Sequence, residues 1–381
     1  MVLRGIDGRT PPEGGPLCSY GAGRPNSPER GEPGGAVKAL VKTARGPGNL
    51  KILDVPEPLC GEDAVKIEVA YCGVCGTDIH ILKDEFPTHP PVIIGHEFSG
   101  TVVQIGSRVK KFMVGDRVVA ENVCSTCGDC YLCRTGHYAI CIQRGAQGLD
   151  LDGAFARYIV CKEQNVYPIP SGLSLQEAAL AEPLVCAVHA VLDQTKVGAG
   201  DVVLVSGPGA MGLLASQAAK AEGGTVILSG TTADQERFEV ARQLGIDRIV
   251  DVEREDLASV VRELTEGRGA DVVIECSGSQ AAVSAGISLI KKRGTFTQVG
   301  LFGKKVPIDL DAVVTREIRI VGSMSHTWNA WKRGLDLVAR GKIRLSPLVT
   351  AVYPLEEWER AFREFEDRRG IKILLEPEKA R

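Results

Sequence analysis

The sequence lacks several features that would mark a membrane, secreted or nucleic-acid-binding protein. No apolar run reaches the roughly 18 residues that a membrane span requires. The N-terminus has no basic stretch followed by an apolar region, so no secretory signal is predicted. The formal net charge is only -3, with both signs mixed along the chain, which argues against nucleic acid or a membrane surface as a partner. The length of 381 residues instead suggests a globular protein of two domains.

Cysteine, by contrast, is abundant. The chain has 12 cysteines, and five of them lie between Cys124 and Cys141. A secreted disulfide protein usually spreads its pairs and carries an export signal, whereas clustered cysteines without such a signal indicate metal ligands in a reducing compartment. The composition therefore predicts a cytoplasmic metalloprotein.

The chain divides into regions that differ in composition and in their pattern of predicted strands and helices. Residues 1–36 are rich in Gly, Pro and charged residues without a hydrophobic period, so this extension is predicted to be disordered. Residues 37–186 contain short β-like runs separated by Gly and Pro, which indicates an all-β or barrel-like domain. Residues 187–329 alternate strands with helices, as in a doubly wound parallel sheet that binds a nucleotide. Residues 330–381 end in a strand, Ile371–Glu376, that we expect to return to the first domain.

A glycine-rich turn follows the first strand of the nucleotide-binding region. Its six residues fit the G-x-G-x-x-G pattern: Gly207, Pro208, Gly209, Ala210, Met211 and Gly212. The first glycine permits the tight turn, the second lets backbone approach the pyrophosphate, and the third allows close packing of helix on strand. The pyrophosphate is then held by the N–H groups of the helix N-terminus. In this strand–turn–helix context the motif predicts dinucleotide binding.

The end of the second strand bears on the choice between NAD and NADP. An acidic residue there would bind the ribose 2′-hydroxyl of NAD. Gly230, Thr231 and Thr232 stand at this place, and Arg237 follows a few residues later. Their type suits a 2′-phosphate, although Arg237 is equally typical of a solvated helix face. These residues leave both NAD and NADP as candidate cofactors, and they favour NADP or the use of both.

Two further strand ends are candidates for cofactor contact. Ligands of open parallel sheets bind at the carboxyl ends of the strands. The ends of the fourth and fifth strands carry Cys276 and Gly278, and Val299, Gly300 and Leu301. The glycines could also be needed only for the turns.

Three residue types suited to zinc occur in two short motifs. Cys75, His96 and Glu97 offer a thiolate, an imidazole and a carboxylate, and their mixed character suits a catalytic zinc with an open position. Glu182 is a fourth candidate, either as a ligand or as the partner of a water on the zinc. Asp78 could hold the tautomer of His96 by accepting a hydrogen bond. Taken singly, Cys75 and His96 would more often be structural residues.

A family resemblance adds to this interpretation. Gly95-His96-Glu97-x-x-Gly100, followed by Gly106 and Val109, resembles the signature of the zinc-dependent medium-chain alcohol dehydrogenases. The segment 75–80, Cys-Gly-Thr-Asp-Ile-His, resembles the first-ligand motif of the sorbitol and threonine dehydrogenase branch. The resemblance runs from about residue 37 to the C-terminus.

The resemblance implies a fold and roles. It implies a GroES-like β-barrel catalytic domain (37–186 and 330–381) joined to a Rossmann domain (187–329). It also implies that Cys75, His96 and Glu97 bind the catalytic zinc, with Glu182 as the nearby carboxylate. By the same resemblance, Thr77 and His80 form the proton relay. We interpret the histidines at 89, 137, 189 and 326 as structural residues.

A second zinc is predicted in the region 122–142. Cys127, Cys130, Cys133 and Cys141 are four thiolates within a short segment, which suits a closed tetrahedral zinc site; disulfides or free thiols are the alternative. Spacing alone would also permit a ligand set that begins with Cys124, but the family resemblance favours Cys127.

Together these motifs predict a zinc-dependent oxidoreductase that transfers a hydride between NAD(P) and a secondary alcohol. The resemblance favours a polyol, cyclitol or sugar alcohol, with a threonine dehydrogenase as the alternative. A non-catalytic relative that only binds cofactor is a hypothesis of a different class, and the complete set of metal ligands argues against it. Family members imply a homo-oligomer, a dimer or tetramer, with no protein partner of another kind.

Overall fold

The computed structural model describes residues 35–378. The predicted disordered extension, 1–36, lies outside this range except for Gly35 and Ala36. Strand β1 begins at Ala36, one residue before the predicted start of the folded chain.

The first region is built mainly from short strands. They are β1 Ala36–Lys42, β2 Leu50–Pro56, β3 Ala64–Gly73, β4 Val92–Ile93, β5 Glu97–Ile105, β6 Arg117–Ala120, β7 Val123–Ser125, β8 Gly145–Ala146, β9 Tyr158–Lys162 and β10 Val166–Pro168. Four helices interrupt them: α1 Gly76–Leu82, α2 Tyr131–Arg134, α3 Leu175–Ala178 and α4 Ala181–Val188. Of the predicted all-β or barrel-like domain, the all-β alternative was therefore wrong, because of these four helices. At α1, the backbone N–H of Cys75 donates to the Asp78 carboxylate at the start of the helix.

The second region alternates strands and helices as predicted. Its elements are β11 Val202–Ser206, α5 Ala210–Ala221, β12 Thr225–Gly230, α6 Gln235–Gln243, β13 Arg248–Asp251, α7 Leu257–Leu264, β14 Ala270–Glu275, α8 Gln280–Leu289, β15 Ile290–Gln298, α9 Leu310–Thr315 and β16 Arg319–Gly322. The six strands form one parallel sheet in the order β13-β12-β11-β14-β15-β16. The order reverses at β11, so a crevice opens at the carboxyl ends of β11 and β14.

The C-terminal segment returns to the first region. It comprises α10 Trp328–Ala339, β17 Val349–Pro354, α11 Trp358–Glu366 and β18 Lys372–Glu376. Strand β18 pairs with β3, and β17 pairs with β18, which completes a seven-stranded sheet. The expected return of the last strand is confirmed.

One buried cluster joins the two regions. It contains Val119 and Tyr167 from the first, Val203 and Leu213 from the second, and Trp331 from α10. Helices α4 and α10 both contribute to this cluster, so close packing holds α4 in place between the two regions. Within residues 35–378 no helix is long and apolar enough to cross a membrane.

Candidate functional site

The folded chain brings together the three residues predicted to bind the catalytic metal. Cys75 immediately precedes α1, His96 precedes β5, and Glu97 is the first residue of β5. Their ligand atoms all lie within 4.8 Å of one another. A thiolate, an imidazole and a carboxylate at this separation suit a zinc ion that keeps one position open for substrate.

Asp78 stands behind His96. Its side chain is fully buried, and its Oδ1 lies 3.7 Å from His96 Nδ1. The other oxygen accepts the backbone N–H of Cys75 at 2.9 Å. Because Nδ1 faces this carboxylate, Nε2 is the ring nitrogen left for a metal. The separation of 3.7 Å is longer than a hydrogen bond, so the predicted hydrogen bond from His96 to Asp78 stays a prediction.

Lys372 is a member of the site that the sequence interpretation missed. Its Nζ donates to Glu97 Oε2 at 2.6 Å and to the carbonyl of Val74 at 3.1 Å, and the side chain is buried. Burial opposes the charge, but Glu97 and Cys75 together raise the pKa of Lys372. The signal available in the sequence was a lysine inside the apolar strand Lys372–Glu376, because lysine is rarely buried unless paired.

Glu182 lies beside the three ligands, in the first turn of α4. Its carboxylate interacts electrostatically with His96 and Glu97 and accepts the thiol of Cys186 at 3.5 Å. Glu182 is not part of the three-residue ligand cluster among the described residues. This placement favours the role of a carboxylate beside the metal over that of a ligand.

The electrostatics of the site suit a divalent cation. Burial raises the pKa of Asp78 to about 6 and that of Glu182 to about 7. Burial opposes the charge on His96, yet Asp78 and Cys75 raise the pKa of His96 to about 10. The site therefore stabilises positive charge. A metal ion here would stabilise the ionised carboxylates and the Cys75 thiolate, and it would take the place of the proton on His96.

Thr77 and His80 both belong to α1. The Thr77 hydroxyl lies 3.7 Å from Cys75 Sγ, so it borders the metal ligands. His80 is half-buried, and its Nδ1 pairs with Glu85 at 2.7 Å. Its ring faces Gly303, which follows β15 of the nucleotide-binding region. His80 thus lies at the boundary of the two regions.

The four cysteines of the predicted second site also come together. Their Sγ atoms lie within 4.8 Å of one another, with close pairs of 3.5 Å (Cys127–Cys141), 3.6 Å (Cys130–Cys133) and 3.9 Å (Cys130–Cys141). A tetrahedral zinc with Zn–S bonds of about 2.3 Å requires sulfur atoms about 3.8 Å apart. The separations therefore fit a zinc ion and exclude disulfide-bond lengths.

Backbone N–H groups support these thiolates. The amides of Cys130 and Gln143 donate to Cys127 Sγ and Cys141 Sγ, each at 3.3 Å. Backbone donors of this kind lower the pKa of Cys130 to about 6. Cys124 instead donates to the carbonyl of Gly145 at 3.2 Å and stands outside the cluster, as expected for a bystander.

The glycine-rich turn has the geometry that dinucleotide binding requires. Gly207 has φ +94°, and a Cβ there would lie 2.8 Å from the side chain of Ser277. A Cβ on Gly212 would lie 1.8 Å from the carbonyl oxygen of Gly207, so α5 packs against the turn only with glycine. Gly209 is the N-cap residue of α5, and a Cβ there would meet no described atom within 4 Å. The backbone at Gly209 is therefore open to a pyrophosphate.

The other predicted residues of this turn, Pro208, Ala210 and Met211, make packing contacts. Pro208 packs over Gly230, whose Cβ would lie 2.8 Å from the proline ring. Ala210 and Met211 form the first turn of α5, and both pack partly buried against the shared core.

The residues invoked for a 2′-phosphate already have partners within the chain. Thr231 donates through its amide and hydroxyl to Asp234, and the Thr232 hydroxyl donates to Asp251 at 2.8 Å. Arg237 pairs with Asp234 at 3.1 Å and donates to the carbonyl of Gly370 at 3.1 Å. These contacts therefore do not support the predicted preference for NADP.

The two other strand ends lie against each other. A Cβ on Gly278 would lie 2.4 Å from the Leu301 carbonyl oxygen, and one on Gly300 would lie 2.4 Å from the Gly278 amide. Packing between the turns accounts for both glycines. Cys276 and Val299 lie next to these turns and pack partly buried against the shared core, while Leu301 is exposed. A cofactor contact at these residues stays a prediction.

Comparison with known proteins agrees with this architecture. The family model of the alcohol dehydrogenase GroES-like domain matches residues 61–171, and that of zinc-binding dehydrogenases matches residues 210–340. A sorbitol dehydrogenase of Halalkalibacterium halodurans is 42% identical over 90% of this chain and 99% of its own length. A D-arabitol-phosphate dehydrogenase of Enterococcus avium is 41% identical over 89% of this chain and 97% of its own length.

A solved structure gives the same result. The 2R,3R-butanediol dehydrogenase of Bacillus subtilis superposes with a TM-score of 0.80 at 30% identity, covering 90% of this chain and 100% of that protein. The chain belongs to the family of zinc-binding alcohol dehydrogenases. Its fold is the GroES-like domain joined to a Rossmann-like domain that the sequence resemblance implied.

Proposed function

We propose that this protein catalyses the reversible, NAD(P)-linked oxidation of a secondary alcohol group of a polyol to a ketone. The single observation that carries the proposal is the convergence of Cys75, His96 and Glu97 within 4.8 Å in a chain of this family. The complete ligand set also argues against a relative that only binds cofactor.

The residues divide the work by position. Cys75, His96 and Glu97 would hold the catalytic zinc, with Glu182 beside it, and the turn 207–212 would hold the pyrophosphate of the cofactor. When bound, zinc supplies a Lewis acid for the substrate oxygen and NAD(P) supplies the hydride acceptor. The four lobe cysteines would hold a second zinc that orders residues 122–142.

Two groups of α1 suit proton transfer. The Thr77 hydroxyl borders the metal ligands and can accept or donate a proton at the substrate oxygen. His80 has its Nδ1 fixed by Glu85, so Nε2 is the nitrogen left to exchange a proton with solvent. We assign Thr77 and His80 as the proton relay on this basis.

A polyol is the favoured substrate class because relatives at 42% and 41% identity carry sorbitol and D-arabitol-phosphate dehydrogenase names. An L-threonine 3-dehydrogenase of Pyrococcus horikoshii is 36% identical over 85% of this chain. Threonine is therefore the second candidate substrate.

A substrate panel tests the proposal. Purified enzyme is assayed with sorbitol, xylitol, arabitol, 2,3-butanediol, L-threonine and ethanol, each with NAD+ and with NADP+. We expect kcat/KM for at least one polyol to exceed that for ethanol by about 100-fold or more. Turnover of threonine alone would establish the second candidate, and turnover of primary alcohols alone would refute the polyol proposal.

We further propose a homo-oligomer in the cytoplasm. Strand β16 lies at the edge of the six-stranded sheet and carries the exposed Ile320, and α9, the helix that precedes it in the chain, carries the exposed Leu310 and Val314. We call these exposed side chains the apolar patch, and exposed apolar residues of this kind are typical of a protein interface.

A further inference from the structure

His326, which carries no role in the proposed chemistry so far, lies in the loop between β16 and α10. Its side chain is fully buried, and Trp331 Nε1 donates to its Nδ1 at 3.1 Å. The two rings meet edge to face with centroids 5.4 Å apart. Trp331 is itself buried and stacked on Tyr167 at 4.7 Å. The imidazole is therefore held in one orientation by a rigid aromatic neighbour.

The contact with Trp331 fixes the tautomer of His326. An indole N–H can only donate, so Nδ1 must accept and carries no proton. Burial, with a smaller contribution from the charge of Arg144, lowers the pKa of His326 to about 3, so the ring is neutral. A neutral imidazole with a bare Nδ1 carries its proton on Nε2.

The Nε2–H group is directed toward Glu182. Nε2 is buried and makes no hydrogen bond within the part of the chain that the structure describes. Glu182 Oε1 lies 3.8 Å away, slightly beyond hydrogen-bond distance. The same oxygen lies 3.5 Å from the Cys186 thiol, which is a weak donor. A small rotation of the carboxylate would give it a strong donor.

We propose that His326 is a positioning residue that orients the Glu182 carboxylate beside the Cys75–His96–Glu97 centre through its Nε2–H. The proposal rests on the proposed function, in which Glu182 lies beside the catalytic zinc. Trp331 holds the proton on Nε2, and Nε2–H holds the carboxylate. His326 thus acts on the reaction through Glu182 and does not itself touch the reacting atoms.

The expected effect follows from geometry. Without the donor, the buried carboxylate of Glu182 keeps the Cys186 thiol as its hydrogen-bond partner among the described residues and can rotate. Displacement of a supporting group near a reacting centre typically lowers the rate about 10- to 100-fold. We expect His326→Phe to lower kcat by this amount while the zinc content is unchanged. His326→Gln keeps an N–H donor and should stay within a few-fold of the native enzyme.

Kinetic isotope effects separate positioning from a structural role. A substrate deuterated at the carbinol carbon reports on the chemical step. In His326→Phe we expect a larger primary isotope effect on kcat, because hydride transfer becomes more rate-limiting. The matched control is His189→Gln, since His189 is also buried but has both ring nitrogens paired, with Asp193 and Gln194. A His326→Phe enzyme that loses activity only in proportion to its folded fraction, with an unchanged isotope effect, would overturn the proposal.

A measurement without turnover tests the tautomer itself. Long-range 1H–15N NMR on histidine-labelled protein assigns the protonated ring nitrogen of each histidine. We expect His326 to be protonated at Nε2 in the native protein and to lose this preference in Trp331→Phe. A proton on Nδ1 in the native protein would refute the proposal. Because this readout needs no substrate, failure of the polyol panel would leave it informative and would count against the proposed function alone.

Discussion

The proposed catalytic centre combines a thiol, an imidazole and a carboxylate, those of Cys75, His96 and Glu97. Asp78 and Lys372 each contact one of the ligand residues from behind, His96 and Glu97 respectively. Such partners fix the orientation of a ligand before the metal binds. The donor set is thus supported on two sides by charged side chains that do not bind the metal.

Glu121 gives a pH prediction for stability. It is buried beside His326, accepts the Tyr138 hydroxyl at 3.0 Å, and burial raises its pKa to about 7 from an ordinary 4.5. Since the folded protein binds the proton more tightly, its stability falls as the pH rises from about 4.5 through 7. Glu121→Gln removes the ionisation, so we expect it to gain up to about 3 kcal/mol over the native protein at pH 8 and little at pH 5.

Thermal denaturation at both pH values checks this expectation. Glu62→Gln, at an exposed position, serves as control and should show no such pH-dependent gain. An equal effect of Glu121→Gln at pH 5 and pH 8 would contradict the assignment.

The sequence predicted those site residues that belong to local motifs. Local motifs made seven predicted ligands recognisable, because each lies close in the chain to another ligand or to a residue of its motif. These are Cys75, His96, Glu97, Cys127, Cys130, Cys133 and Cys141. Lys372 was missed, because it meets Glu97 across a separation of 275 residues. Its contact depends on the pairing of β18 with β3, which no local pattern specifies.

At the level of helices and strands, substitutions at two glycines near the start of α5 should distinguish an effect on folding from an effect on cofactor binding. A Cβ on Gly212 would collide with the Gly207 carbonyl, whereas a Cβ on Gly209 would meet no described atom. We expect Gly212→Ala to lower the melting temperature clearly, because backbone must move. Gly209→Ala should fold normally and weaken NAD(P)H binding about 10-fold or more, because the methyl group would occupy the place of the pyrophosphate.

Differential scanning fluorimetry and titration of nicotinamide fluorescence measure the two effects. Each variant acts as the control for the other. Normal cofactor affinity in a folded Gly209→Ala protein would mean that the pyrophosphate does not approach this turn.

The lobe of residues 122–142 gives a second prediction at this scale. It contains the short strand β7, two helical turns (α2 and Tyr138–Ile140) and few buried apolar residues, so its order should depend on the four-cysteine metal. We expect Cys130→Ser to lose one zinc and to become sensitive to trypsin after the exposed Arg134. Cys124→Ser is the control and should keep both the zinc and the resistance. An unchanged digestion pattern in Cys130→Ser would contradict a metal-ordered lobe.

The alternation of strands and helices from β11 to β16 was predictable because a parallel sheet covered on both faces requires apolar strands between amphipathic helices. Helix α1 was not predicted, because its seven residues lie between β strands and its start depends on one capping contact.

At the scale of the whole molecule, the two regions share contacts beyond the active centre. The largest buried cluster draws on both, and Arg237 of α6 donates to the carbonyl of Gly370 before β18. These contacts support the relative placement of the two regions.

The exposed apolar patch of α9 and β16 predicts self-association. Leu310 and Val314 lie one turn apart on α9 and are 66% and 74% exposed. We expect light scattering to give a mass of at least two chains of 40.7 kDa, and Leu310→Glu with Val314→Glu to give the monomer. Leu59→Glu, at an exposed position outside the patch, should leave the mass unchanged. A native monomer would contradict the proposed homo-oligomer.

We propose that the chain carries two separate zinc sites and that only the one at Cys75 serves catalysis. Metal content per chain, measured by mass spectrometry on the native protein and on Cys75→Ala, tests this proposal. We expect about two zinc ions in the native protein and about one in Cys75→Ala, with activity lost and the melting temperature nearly kept. A zinc content that Cys75→Ala leaves unchanged would contradict the two-site proposal, because Cys75 would then not be a ligand.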